Sequence, residues 1–262
     1  MNKVKKEITI FTIICLVVST PLWYMAYKNP EADIAIFFTI AAGFFPMILT
    51  LVITKITKEG WGNLGIVFNL KKGWKIYLIA IFGTTLLPYI SDLLLLLIFQ
   101  KHVSVDIASN APLLILGAML MGIACFIECL GEELGWIGYL FPRLEKVFGT
   151  IMACVLLGII RAVWHLGIFA FIEFPIHSFF ELMLSNIFLQ FFMVYMYKKS
   201  GSLFPCSISH GISNLLPYFL VYESAWYYKS ILPIIVCMMP SMLYGAFGYF
   251  QMKKSGLIEK RV

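Results

Sequence analysis

Apolar residues run along this chain in blocks of about twenty, each long enough for a helix to cross ~30 Å of hydrocarbon. Eight such blocks can be placed, at roughly 8–27, 33–54, 76–99, 113–140, 150–172, 179–197, 202–222 and 231–251. Backbone groups must be satisfied within a bilayer, so runs of this kind are expected as helices. Pro46, Pro88, Pro217 and Pro240 fall inside blocks, where they predict kinks or local unwinding rather than breaks. The longest connection, 55–75, carries Trp61 and Trp74 among Leu, Ile, Val and Phe, a pattern suited to lying against headgroups. Gly60, Gly62, Gly65 and Gly73 argue against one continuous helix there. No internal repeat or low-complexity stretch is visible. The pattern predicts an all-α fold, a polytopic membrane helix bundle of about eight transmembrane helices, with residues 1–262 as a single membrane domain.

Composition agrees: the 262 residues are 61% hydrophobic and only 13% charged, against about a quarter charged in a soluble domain. Charge also sets an orientation. With the N-terminus inside, 16 of the 20 Lys and Arg fall in the inside segments (the N-terminus, 55–75, 141–149, 198–201 and the C-terminal tail). The outside segments hold only Lys28, Lys101 and Lys229, and Arg161 lies within a span. The positive-inside rule then predicts a multi-pass protein of the cell membrane with both termini cytoplasmic. The net charge of +6 is explained by this asymmetry, and nucleic acid is not an expected partner. The apolar run behind Lys3, Lys5 and Lys6 is long for a signal peptide and lacks a small-x-small cleavage site, so it reads as a retained first span. The cysteines lie in or beside apolar runs with no zinc-knuckle or disulfide spacing. They read as small buried thiols, with Cys125 and Cys129 beside Glu128 as minor metal candidates.

Against this background the stretch 128–143 stands out, because Glu128, Glu132 and Glu133 sit near the end of the fourth block. Carboxylates in hydrocarbon cost several kcal/mol and default to a functional reading. Partners are available. Arg161 and His165 are spaced i, i+4 in the fifth block, and His210 and Asn214 repeat that spacing in the seventh, so each pair shares a helix face. Counted from the inside ends at 1.5 Å per residue, Glu132 lies about 15 Å deep, His210 about 12 Å and His165 about 22 Å, compatible with one cavity. A Glu and a His there are able to hold and deprotonate a water. A second His with an Asn opposite supplies donors for the oxyanion formed when water attacks a carbonyl. For each histidine alone, an interhelical hydrogen bond is the blander account; their joint occurrence favours peptide hydrolysis. Glu181 and Asp92 are more isolated in the sequence.

With these residues in view the chain resembles the CPBP family, the CAAX-protease and bacteriocin-processing group of intramembrane peptidases, including its type II prenyl-protein endopeptidase core. The motif E-E-x-x-x-R aligns with Glu132 to Ile137, in the context Gly-Glu-Glu-Leu-Gly-Trp-x-Gly-Tyr-Leu-x-Pro-Arg-Leu. F-x-x-x-H aligns with Arg161 to His165, and H-x-x-x-N is matched by His210 and Asn214. The resemblance covers about 110–220 and implies a catalytic core there. It implies that Glu132 and His165 activate water, that His210 and Asn214 form the oxyanion site, and that Glu133 orients the cluster. The chain departs from the pattern twice: Ile137 stands at the motif arginine and Arg161 at the motif phenylalanine. Arg161 is expected to supply the missing guanidinium from the facing helix.

The family has been described as metalloproteases, and two His with a Glu would suit zinc. A metal-free glutamate mechanism fits the same residues, so no cofactor or metal is expected, although a divalent metal such as zinc is a second possibility. The expected partners are the lipid bilayer and a peptide or lipoprotein segment from the membrane or cytoplasmic leaflet. The family implies prenylated C-terminal motifs, bacteriocin leaders or signalling pro-peptides as substrates, and the sequence does not choose among these or fix the oligomeric state. Two other classes compete. One is a catalytically weak or inactive immunity or scaffold protein of the same fold, suggested by the altered first motif. The other is a proton-coupled transporter, against which stands the lack of paired broken helices.

Overall fold

The computed structural model describes residues 3–28, 33–84, 97, 111–169, 176–215 and 231–260, and among these all regular structure is helical. Helix α1 (Lys3–Lys28) and helix α2 (Asp33–Thr57) are each about 38 Å long at 1.5 Å per residue and pack against one another. Both run through an internal proline, Pro21 and Pro46. After Thr57 the chain is irregular, turning through positive φ at Lys58, Gly60 and Gly65. It becomes helical again as α3 (Leu70–Leu78), which widens into a π-helical turn at Ile79–Gly83. The glycine-interrupted connection is therefore not one helix, and Trp61 and Trp74 stand exposed on it.

Helix α4 (Ala111–Glu133) passes directly into a π-helical segment, Leu134–Leu140, and then into α5 (Phe141–Trp164). Here the structure corrects the sequence reading. The stretch 141–149, expected as an inside loop, is helical to its last residue, because Pro142 sits in the first turn, where a missing N–H costs nothing. The break falls on Gly149 alone, at φ 76°, ψ 164°. A short α6 (Leu166–Phe169) follows, then α7 (Ile176–Ser200), α8 (Phe204–Leu215) and α9 (Ile231–Lys254).

Four stretches, 3–26, 34–57, 122–164 and 179–200, are long and apolar enough to cross a membrane. The third contains parts of two expected spans, and α9 adds a further apolar helix through Pro240. Parts of the expected third and seventh spans, with Pro88, Asp92 and Pro217, lie outside the described residues. The chain is a multi-pass, all-α membrane bundle; the number of spans is not fixed at eight.

Close helix contacts occur where glycine removes the side chain, as in membrane bundles generally. A Cβ on Gly158 of α5 would come within 2.5 Å of the Ile187 backbone of α7, and one on Gly245 of α9 within 2.8 Å of Phe188. Helix α7 is thus held between α5 and α9, while α4 lies between α2 and α8 and α1 covers α5. The buried core runs through Phe11, Trp136, Tyr139, Leu157, Trp164, Phe192 and Met196.

Candidate active site

The acidic motif is placed by glycines. Gly131, Gly135 and Gly138 form a stripe at helical spacing. A Cβ on Gly131 would come within 2.8 Å of Phe44, one on Gly138 within 2.8 Å of the Leu64 carbonyl, and Gly135 packs on Pro46. This stripe nests against α2 and the 58–69 connection, leaving Glu132 and Glu133 to α5 and α8. Residues 131–141 are buried without exception. The π-helical geometry begins immediately after Glu133, a departure from regular helix that recurs at functional sites.

Glu132, Glu133, Arg161 and His210 meet there, with relative exposures of 4%, 0%, 1% and 8%. Arg161 Nη1 lies 2.9 Å from Glu133 Oε1, and Nη2 lies 3.4 Å from Glu132 Oε2. His210 Nδ1 is 2.9 Å from Glu133 Oε1 and 3.4 Å from Arg161 Nη2. The two contacts to Glu133 are at ion-pair distance but lack hydrogen-bond alignment, since neither carboxylate oxygen has an aligned donor. Guanidinium N–H groups only donate. With its lone pair on Nδ1, His210 accepts from Arg161; with a proton there, the same nitrogen faces Glu133 as an ion-pair contact only, and one tautomer cannot serve both. The guanidinium expected opposite the acids is present, contributed by α5, and Ile137 is fully buried in the core.

His165 lies one turn beyond Arg161, at the C-cap of α5, where the helix ends with φ −76° and ψ −8°. Its Nδ1 is 2.8 Å from the Arg161 carbonyl. The carbonyl must accept, so Nδ1 carries the proton and Nε2 keeps a lone pair in the neutral ring. The ring sits edge-on to Trp164, at 4.7 Å, and parallel to Trp23, at 6.4 Å. Among the described contacts none joins His165 directly to Glu132 or His210. Asn214 stands at the exposed end of α8 and donates to Cys129 Sγ over 3.5 Å.

Sequence reasoning named the acids, Arg161 and both histidines, but not Cys129 as the partner of Asn214. It also missed the buried 2.7 Å hydrogen bond between Thr84 Oγ1 and Ser209 Oγ, which ties α8, one residue before His210, to the end of the π-helical turn at Ile79–Gly83. The i, i+4 spacing of Cys129 and Glu133 was the available signal for the first. For the second there was none, because residues 84 and 209 are distant in sequence. No group of three His, Cys, Asp or Glu side chains among the described residues is arranged to hold a metal ion.

Residues 112–216 match the family model described as type II CAAX prenyl endopeptidase Rce1-like. That interval runs from the start of α4 to just past α8, and contains every residue of the site. No curated protein matches the chain.

Proposed function

We propose, from the match of residues 112–216 to the Rce1-like type II CAAX prenyl endopeptidase model, that the protein is an intramembrane endopeptidase that cleaves a membrane-associated peptide with an activated water. The observation that carries the proposal is the buried meeting of Glu132, Glu133, Arg161 and His210, which packing alone does not require. In this reading Glu132, aided by the lone pair on His165 Nε2, takes a proton from water as its oxygen bonds to the peptide carbonyl carbon. His210 and Asn214 donate to the resulting oxyanion. The proton then passes to the departing amine as the C–N bond breaks. Glu133 and Arg161 hold the two halves of the site in register.

The substrate enters from the membrane or the cytoplasmic leaflet, and both termini are cytoplasmic. No metal is assigned to the reaction. Comparing the peptides of membranes carrying wild-type protein with those carrying Glu132→Gln tests the proposal: cleavage products should disappear in the variant. Identical peptide profiles would refute it.

One feature favours a second reading, in which the protein binds a peptide as an immunity or scaffold protein without cutting it. Arg161 is paired with the proposed base itself, so its guanidinium occupies a carboxylate oxygen that an attacking water would otherwise approach. Peptide cleavage by purified protein that is unchanged in Glu132→Ala would point to this second reading and to a contaminating peptidase.

A further inference from the structure

Glu128 stands one helical turn before Glu132 on α4, and the mechanism above gives it no part. It is half-buried. Its carboxylate lies against the bare backbone of Gly43 on α2, where a Cβ would come within 2.7 Å of Oε1. Any side chain at position 43 would displace it, so the glycine forms a seat for this carboxylate. The i, i+4 spacing on one helix puts it on the same face as Glu132, at the margin of the cluster. Asn214, which is exposed, is bonded to Cys129, the next residue along α4.

Among the described residues Glu128 has no counter-ion in contact with it. Arg161 and His210 are engaged with Glu132 and Glu133, and among the described residues no hydrogen bond or ion pair reaches Glu128. Among the described residues, three carboxylates therefore share one guanidinium and one imidazole, and the unpaired one is also the least enclosed. When ionised, a carboxylate in this setting is costly unless a cation joins it.

Resting on the endopeptidase reading, we infer that Glu128 selects substrate, pairing with a lysine or arginine side chain of the bound peptide. The rise from Glu128 to Glu132 is about 6 Å, which an extended peptide spans in about two residues. The selected cation thus lies within about two residues of the cleaved bond. Glu128 touches substrate away from the reacting atoms, so it governs binding and leaves the chemical step to the residues above.

The test uses full-length protein in nanodiscs and three fluorescent, N-palmitoylated decapeptides that differ only in carrying Lys, Gln or Glu at one position. Binding is read by anisotropy in the Glu132→Gln background, so no turnover is needed. The Lys probe should bind about tenfold tighter than the Gln probe, the order given by one charge-assisted hydrogen bond. Glu128→Gln should abolish that preference, and Glu128→Lys should reverse it in favour of the Glu probe. Thermal unfolding of both variants confirms that they are folded, and Glu128→Gln, nearly isosteric, is decisive if Glu128→Lys is not. Equal binding of the three probes, or a preference unaltered in Glu128→Gln, overturns the inference. A charge preference without cleavage by wild type would uphold it while refuting the endopeptidase reading.

Discussion

A guanidinium buried between two carboxylates contributes little net stability, yet removing it leaves charge that nothing solvates. Arg161 is in that position, on α5, where the family motif has an aromatic residue, while Ile137 stands where the motif has arginine. Arg161→Phe should therefore lower stability by about 3–5 kcal/mol, the range found when one partner of a buried pair is lost. Adding Ile137→Arg should restore most of it, as read by thermal unfolding in detergent. A double variant no more stable than the single one would mean that the arginine has not moved between helices. The exchange was legible in the sequence, because each residue occupies the other's kind of position. The partner assignments were not: whether His210 meets Glu132 or Glu133 depends on helix azimuth, and so does the contact of Asn214 with Cys129. Spacing within one helix says nothing about its rotation against a neighbour.

Among the elements, α5 shows two glycines that do different work. Gly149 occupies a region of φ and ψ essentially closed to other residues, and Gly149→Ala should cost about 1–3 kcal/mol through backbone strain. Its remoteness from the acids predicts that activity per folded molecule is kept at permissive temperature. Gly158 is regular helix, and its difficulty is the Ile187 backbone opposite. Gly158→Ala should cost a similar about 1–3 kcal/mol by overpacking, but it also pushes α5 away from α7 and carries Arg161, three residues on, with it. Peptide cleavage should then fall more than the folded fraction does. Run length alone made the long apolar helices legible. The helical 141–148 segment was not, because its polar residues and flanking Pro and Gly imitate a loop. Only their positions, proline at the start and glycine at the end, distinguish a helix from a turn there.

Across the whole molecule, the segments that charge counting puts inside gather at one end of the bundle. Arg143, after the π-helical segment, pairs with Glu7 of α1 and with Glu59 beyond α2, and its guanidinium lies 3.6 Å from the centre of the Tyr139 ring. Lys198 at the end of α7 meets Glu145 at 2.6 Å and Glu259 of the C-terminal tail at 3.5 Å. The backbone of Thr150, just past the Gly149 break, donates to the Glu259 carbonyl. These contacts tie the N-terminus, the 58–69 connection, the 141–149 region, the end of α7 and the tail to the same end. Contacts of this kind fix which segments are together but not which compartment they face; that comes from the excess of Lys and Arg. Single cysteines at Lys58, Lys146, Lys199 and Lys260, all exposed, should resist an impermeant maleimide in intact cells and react once the membrane is opened. Labelling of all four in intact cells would invert the molecule and move substrate entry to the outer leaflet. Labelling of some and not others would contradict the shared end itself, since no single membrane plane would then separate the ion-paired segments from the rest.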